Sequence, residues 1–294
     1  MAELKVNTKK FKLNNGVEIP AVGLGTWRSE PEDAYKATKL ALENDYHHID
    51  TASAYGNEEG VGKAISESKV PRENIFVTTK LWNTDHNKVE EALDESLKKL
   101  KLDYVDLYLI HWPVNTDSED IKDPSQYEDY IETWKSLQKI YKEGKKVKAI
   151  GVSNFTIKKL DKLLNAEGVD VVPVINQIEA HPLLTQPELV KYLTSKDIYI
   201  TAYSPLGSND SPLFKNETVL EIAKKNKVEP AQVLISWAVQ RNSIVIPKSV
   251  HEERIKSNIE TFTLSDEDFK ALNEINEKDG PKRTNDPGFN NYDD

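Results

Sequence analysis

Residues 75–111 read IFVTTKLWNTDHNKVEEALDESLKKLKLDYVDLYLIH. The stretch opens on an apolar, β-branched run (75–80) and closes on a second one (105–111). Between them, Val89, Leu93, Leu97 and Leu100 recur at helical spacing on one stripe, and the remaining positions are largely charged. Asn87 stands where a helix cap is expected, with Glu90 three residues later in the reciprocal position. The segment predicts strand, helix, strand.

The same alternation continues in both directions. Further short apolar runs lie at 22–24, 48–51, 148–152, 172–177, 199–202 and 244–248, which makes eight at intervals of about 25 to 45 residues. Helical patterns occupy 31–44, 127–143, 157–165, 187–195 and 230–241. Glu188 after Pro187 marks one helix start. Eight strand–helix units in about 250 residues predict an α/β fold, a closed parallel (β/α)8 TIM barrel, with an open doubly wound sheet as the competing arrangement. Length alone allows about two domains; the unbroken alternation argues for one, spanning residues 1–294. Residues 11–19 carry Asn14-Asn15-Gly16, a hairpin turn signal, and predict a two-stranded hairpin at the barrel bottom. After Asp279 the tail GPKRTNDPGFNNYDD is polar and turn-rich and reads as a loop.

Composition narrows the function. Lys plus Arg is 39 and Asp plus Glu 49, a net charge of −10, which argues against a nucleic-acid or anionic-membrane partner. There is no Cys, so disulfides, thiolate metal sites and Cys nucleophiles are excluded. No segment approaches the ~20 apolar residues of a membrane helix, and the first 20 residues lack a secretory core. A cytoplasmic location is expected. The Asn-x-Thr matches at Asn154 and Asn216 are then coincidental.

In a barrel, chemistry gathers at the C-terminal ends of the strands. Read in order, those ends offer Gly25-Thr26-Trp27, Asp50 with nearby Tyr55, Lys80 and Trp82, His111-Trp112, Ser153-Asn154, Gln177 and Glu179, Tyr203-Ser204, and Lys248-Ser249. A polar group that ends an apolar run is costly unless paired, so their coincidence points to a site. Each taken singly has a plainer reading: a salt-bridged lysine, a hydrogen-bonded core histidine, a loop tyrosine. Together, Asp50, Tyr55, Lys80 and His111 suit carbonyl reduction. A phenol can donate a proton, an adjacent ammonium lowers its pKa and steadies the phenolate, a carboxylate orients the ammonium, and an imidazole polarises the carbonyl. Metal ligation is not expected.

The stretches GLGTW (23–27), HHIDTASAYGNEEGVGKAI (47–65), TTKLW (78–82), LDYVDLYLIHWP (102–113), GVSNF (151–155), NQIEAHP (176–182), AYSPLG (202–207) and IPKSV (246–250) resemble the aldo-keto reductases. Within them the chain is similar to fungal carbonyl reductases of the yeast glycerol dehydrogenase and 2-ketoester reductase type. The likeness runs from about residue 11 to 258. It implies NADPH-dependent reduction of aldehydes and ketones, with Tyr55 as general acid supported by Asp50 and Lys80, and His111 orienting the carbonyl. It implies a substrate pocket lined by Trp27, Tyr55, Trp82, His111 and Trp112.

The dinucleotide fingerprint itself is incomplete. Gly23-x-Gly25 is followed by Arg28 where the third glycine would stand. The resemblance implies a nicotinamide cofactor held without it. Ser153, Asn154 and Gln177 would hold the carboxamide and Tyr203 would stack on the ring. Ser204, Leu206, Gly207 and Ser208 would line the pyrophosphate, with Gly25, Thr26, Trp27, Asp50 and Val250 also in contact. Lys248, Ser249 and Arg254 match a 2′-phosphate site, whose dianion suits a lysine, a guanidinium and a hydroxyl, and Asn258 would contact the adenine. NADPH is therefore expected over NADH. The acidic loop at 114–126 and the tail after Asp279 bear on the substrate, and Asp286, Phe289 and Asn290 are candidates to close over the site. Competing readings are a Schiff-base aldolase using Lys80, a metal hydrolase using His47, His48 and Asp50, and a cofactor-binding barrel without turnover. Nothing demands an interface, so a monomer acting on a small carbonyl compound is expected.

Overall fold

The computed structural model describes residues 2–118, 120–208 and 210–292. Three short strands come first: β1 (Lys5–Val6), β2 (Lys10–Lys12) and β3 (Glu18–Pro20). Eight more form one sheet: β4 (Leu24–Gly25), β5 (His48–Asp50), β6 (Phe76–Leu81), β7 (Leu107–Ile110), β8 (Ile150–Ser153), β9 (Ile175–Glu179), β10 (Tyr199–Tyr203) and β11 (Ile244–Val245). Each pairs in parallel with its neighbour in chain order. The ends also meet. Val22 bridges Val245 and Gly25 bridges Lys248, both parallel, and Gly23 N donates to Val245 O at 2.9 Å. With β4 joined to β11 the sheet has no free edge, so the arrangement is the closed barrel and not the open sheet.

Every residue of β5 to β9 is buried. This is why the runs read as continuous apolar stretches: helices cover one face and the barrel core fills the other. The helices are α1 (Pro31–Glu43), α2 (Glu58–Glu67), α3 (Val89–Leu100), α4 (Ile131–Glu143), α5 (Ile157–Leu164), α6 (Pro187–Ser195), α7 (Glu217–Asn226), α8 (Pro230–Gln240), α9 (Glu252–Asn258), α10 (Asp266–Asn273) and α11 (Ile275–Asp279). None is long and apolar enough to cross a membrane. Helix α2 nests between its neighbours because it carries glycine where they approach: a Cβ on Gly62 would run into the carbonyl of Leu100, and one on Gly60 into that of Pro31. Asn216 caps α7 by accepting from Val219 N at 3.2 Å, which gives that asparagine a structural use.

The hairpin lies where the turn signal placed it, with β2 and β3 antiparallel. Asn14 Nδ2 donates to the carbonyls of Pro173 and Asp197, at 3.0 and 3.1 Å, and Asn15 Nδ2 to that of Lys148 at 3.0 Å. Those carbonyls precede β9, β10 and β8, so the turn plugs the N-terminal end of the barrel. One clip was not anticipated: β1 pairs antiparallel with β12 (Glu260–Thr261).

Two expectations fail locally. The cap of α3 is Lys88, without a side-chain cap bond, and not Asn87. Asn87 instead accepts from Asn115 at 3.2 Å, a tertiary partner that wins over the local cap. The run at 172–177 starts three residues later and ends two later, as β9. Gln138 Oε1 accepts from Asp170 N and Val171 N, at 2.8 and 2.9 Å, and Trp134 Nε1 donates to Val171 O. Those bonds tie 170–171 to α4 and leave Val172 40% exposed. The shift brings Glu179 to the end of the strand. Beyond α11 the tail to residue 292 forms no helix or strand, as read.

Candidate active site

The C-terminal ends of β4 to β11 open into a cleft of about 1370 Å³. Parallel register sets its floor. Asp50 pairs with Thr78, so Lys80, two residues further along β6, rises beside the end of β5. Lys80 is fully buried, and its Nζ donates to Asp50 Oδ1 at 2.5 Å, Thr51 O at 2.8 Å and Tyr55 Oη at 3.2 Å. All three ammonium hydrogens are thus placed. Tyr55 ends a single 3₁₀ turn, Ser53–Tyr55, closed by Gly56 at φ 66°, and part of its surface remains open to the cleft. The second oxygen of Asp50 accepts from Gln177 Nε2 at 2.8 Å. His111 follows β7, with its ring 5.7 Å from that of Tyr55 and 5.2 Å from Trp82.

The electrostatics are those of a buried ion pair with a phenol on it. Burial raises the Tyr55 phenol; Lys80 pulls it down and Asp50 pushes it up, and the net direction is upward. The expected lowering by lysine is present but outweighed, because a phenolate here would also lose water. Burial works to lower the Lys80 ammonium, but Asp50 and then Tyr55 outweigh it, so its pKa is raised and it stays charged. Burial, with help from Lys80, holds His111 well below the ordinary histidine range, so its ring is neutral. Among the described residues His111 Nδ1 is buried without a partner. A bare acceptor is the cheaper orphan, which puts the hydrogen on Nε2.

Around this floor the side chains at the strand ends are largely satisfied by one another. Ser153 Oγ donates to Gln177 O at 2.8 Å, and Asn154 Nδ2 to His111 O at 3.0 Å. Tyr203 Oη donates to Asn154 Oδ1 at 2.7 Å. Asn154 and Ser204 hold left-handed backbone, φ 63° and 46°, where the chain turns sharply out of the barrel. Thr26 Oγ1 donates to Asp50 O at 2.9 Å. Of the residues named from sequence, Gly25, Thr26, Trp27, Asp50, Tyr55, Trp82, His111, Trp112, Ser153, Asn154, Gln177, Tyr203, Ser204, Leu206, Ser208, Lys248, Ser249, Arg254 and Asn258 line this one cleft. Lys80 lies beneath it. Gly207 and Val250 are not on its wall. A Cβ on Gly207 would strike Ser211, so that glycine serves the turn, at φ 81°.

The tail supplies the remaining wall. Asn285, Pro287 and Phe289 line the cleft. Phe289 stands 5.6 Å from both Trp82 and Trp112, edge to face. Asn290 ties the tail down by donating to Asn154 O at 2.7 Å. Asp286 does not close over the site: it is exposed and accepts from Gly288 N. The acidic loop after β7 turns an apolar side inward, where Ile121 and Tyr127 pack on Trp112, Val114 and Phe289. Among the wall residues that sequence reasoning missed are Arg28, Asn285 and Pro287. Arg28 lies over the Trp27 ring at 4.2 Å in left-handed backbone, and its intrusion into the glycine pattern was the available signal.

The histidine pair does not make a metal centre. His48 Nδ1 contacts Pro20 O at 3.1 Å and His47 Nδ1 contacts Asn74 O at 2.9 Å, away from the cleft. Among the described residues no group of three His, Asp or Glu is placed to hold a metal ion.

Comparison with known proteins gives the family. The family model for the aldo/keto reductase family matches residues 21–277. The glycerol 2-dehydrogenase (NADP(+)) of Saccharomyces cerevisiae is 52% identical, over 99% of this chain and 98% of its own length. The aldehyde reductase YPR1 of the same yeast is 46% identical over the same shares. Among solved structures, MGS-M4, an aldo-keto reductase from a Medee basin deep-sea metagenome library, superposes with a TM-score of 0.83 at 46% identity, covering 93% of this chain and 96% of its own. A match that runs through every strand of the barrel and nearly end to end in the relatives leaves one assignment: the chain belongs to the aldo/keto reductase family.

Proposed function

We propose that the chain reduces aldehydes and ketones, 2-ketoesters among them, to alcohols at the expense of NADPH, with Tyr55 as the general acid. The observation that carries this is the buried line Asp50–Lys80–Tyr55, at 2.5 and 3.2 Å, ending in a phenol on the floor of a large cleft. Relatives named as NADP-linked glycerol dehydrogenase, aldehyde reductase and methylglyoxal reductase support a carbonyl–alcohol couple.

The cleft suits the cofactor. Its volume of about 1370 Å³ exceeds the ~300–1,000 Å³ of ordinary small-ligand pockets, room for a dinucleotide beside a small substrate. Lys248 and Arg254 are exposed on its wall, and among the described residues neither is in an ion pair; with Ser249 they match a 2′-phosphate, although Glu229 and Glu253 share the wall. Asn258 would meet the adenine. Ser204, Leu206 and Ser208 would meet the pyrophosphate, Tyr203 the nicotinamide face, and Ser153, Asn154 and Gln177 the carboxamide, by exchanging bonds they now make with one another and with Asp50, His111 and Tyr203.

When bound, the reduced nicotinamide supplies hydride. The protein supplies the proton and the field. Tyr55 holds its proton at neutral pH because burial keeps the phenol protonated. His111, neutral, donates from Nε2 to the carbonyl oxygen and polarises it. As Tyr55 releases its proton to that oxygen, the Lys80 hydrogen bond stabilises the phenolate. Trp27, Trp82 and Trp112 wall the substituents and exclude water. The raised pKa of Lys80 argues against a Schiff-base aldolase, which needs a neutral amine. The reading includes one domain over residues 1–294, acting as a monomer in the cytoplasm.

The test follows NADPH absorbance with simple aldehydes and a 2-ketoester. Tyr55→Phe should lose about 10²–10⁴-fold in kcat while still binding NADPH. Equal consumption by wild type and variant would refute the acid assignment.

A further inference from the structure

Glu179 ends β9 outside the cleft wall, fully buried, and the chemistry above makes no use of it. A carboxylate is expensive to bury unless donors surround it. Here the donors are the backbone of the tail. Thr284 N reaches Glu179 Oε2 at 2.9 Å and Oε1 at 3.0 Å, and Asn285 N reaches Oε1 at 2.7 Å. His181 Nε2, itself fully buried, lies 2.8 Å from Oε2. To residue 292 the tail has no helix or strand to hold its shape. Among its other ties are Lys282 N to Leu183 O and Asn290 Nδ2 to Asn154 O, both 2.7 Å, and a side-chain hydrogen bond between Asn285 and Tyr203. Amide bonds to a charged acceptor are stronger than these neutral ones. Immediately after the clasped amides, the chain presents Asn285, Pro287 and Phe289 to the cleft.

We infer that Glu179 is a positioning residue for substrate selection: its carboxylate clasps the amides of Thr284 and Asn285 and thereby seats Phe289 between Trp82 and Trp112. The inference rests on the reductase reading of the cleft. A carbonyl held by Tyr55 and His111 directs its substituent toward Trp82, whose ring is 5.2 Å from His111, and Phe289 is the next ring beyond. An aromatic substituent gains that contact. A methyl group does not reach it. The clasp therefore acts on KM for bulky apolar substrates without moving the proton donor, and the Asn290 bond to Asn154 stays in place at the cofactor end.

The experiment compares wild type, Glu179→Gln, Phe289→Ala and the double variant on benzaldehyde and acetaldehyde, with NADPH affinity by fluorescence and amide exchange across the tail. Glutamine keeps the shape and gives up the charge. Glu179→Gln should raise KM for benzaldehyde about tenfold, the loss of one aromatic contact. It should leave acetaldehyde, kcat and NADPH affinity within about twofold and speed exchange at Thr284 and Asn285. The double variant should be no worse than Phe289→Ala alone. Thr284→Pro removes a clasped N–H without touching the core; it should reproduce the split and stands in if Glu179→Gln does not fold. Equal KM rises for both aldehydes, effects that multiply in the double variant, or unchanged tail exchange would overturn the inference. If wild type turns over neither aldehyde, the reductase reading fails instead, and the exchange measurement alone decides the clasp.

Discussion

Replacing Lys80 with methionine separates what the ammonium does for the fold from what it does for the reaction. Methionine keeps much of the stem and none of the donors. Asp50 is then buried with Gln177 Nε2, at 2.8 Å, as its remaining side-chain donor. Breaking one side of a buried ion pair costs about 3–5 kcal/mol of stability. Adding Asp50→Asn removes the stranded charge, so the double variant should regain most of that loss. The reaction does not recover with it. A unit charge 3.2 Å from Tyr55 Oη stabilises a full phenolate by about 5 kcal/mol at an effective dielectric of ~20. A proton half transferred in the transition state feels about half of this, or roughly 10²-fold in kcat. The assay pairs thermal and denaturant unfolding with NADPH-linked turnover for wild type, Lys80→Met and Lys80→Met/Asp50→Asn. Lys80→Met should lose both properties, and the double variant should regain stability only. A double variant with wild-type kcat would show that Lys80 serves folding alone and would sink the proposed proton-donor line.

Two further outcomes follow from charge and burial. Lys248→Met or Arg254→Ala should weaken NADPH by about 10–100-fold, the worth of one hydrogen bond to a charged group, and leave NADH nearly unchanged; fluorescence titration with both nucleotides decides it, and parallel losses would refute the 2′-phosphate assignment. His48 and His86 are held at about 4 by burial, against 6.5 for free histidine. Their rings stay neutral in the fold but take up protons in the unfolded chain, so stability is full above about pH 6.5 and falls as pH drops toward 4, by about 3 kcal/mol for each ring. The raised pKa values of Glu58 and Asp106, where burial dominates, act in the opposite sense and offset part of it. Tm should therefore fall from pH 7 to 4.5, and less steeply in His86→Gln; a slope unchanged by that substitution would count against the assignment.

What the sequence discloses depends on whether side chains or backbone carry the feature. The barrel is legible because parallel strands covered on both faces must be apolar throughout, and the tetrad because each of its members breaks or follows such a run. Glu179 was visible as a strand-end polar residue, yet its partners in the tail are the amides of Thr284 and Asn285, about a hundred residues away, and an amide has no side-chain signature. The displaced start of β9 was hidden for the same reason, since Gln138 binds backbone N–H groups at 170 and 171. The direction of the Tyr55 pKa was hidden differently. The motif names a phenol, an ammonium and a carboxylate, but not how much water reaches them. Burial turns out to be the larger influence, and this alters the role assigned to Lys80 in the proposed reaction. The ammonium does not make the resting phenol a strong acid. It remains charged at 3.2 Å and acts on the phenolate as that charge forms, so the phenol keeps its proton until a carbonyl oxygen is present to take it.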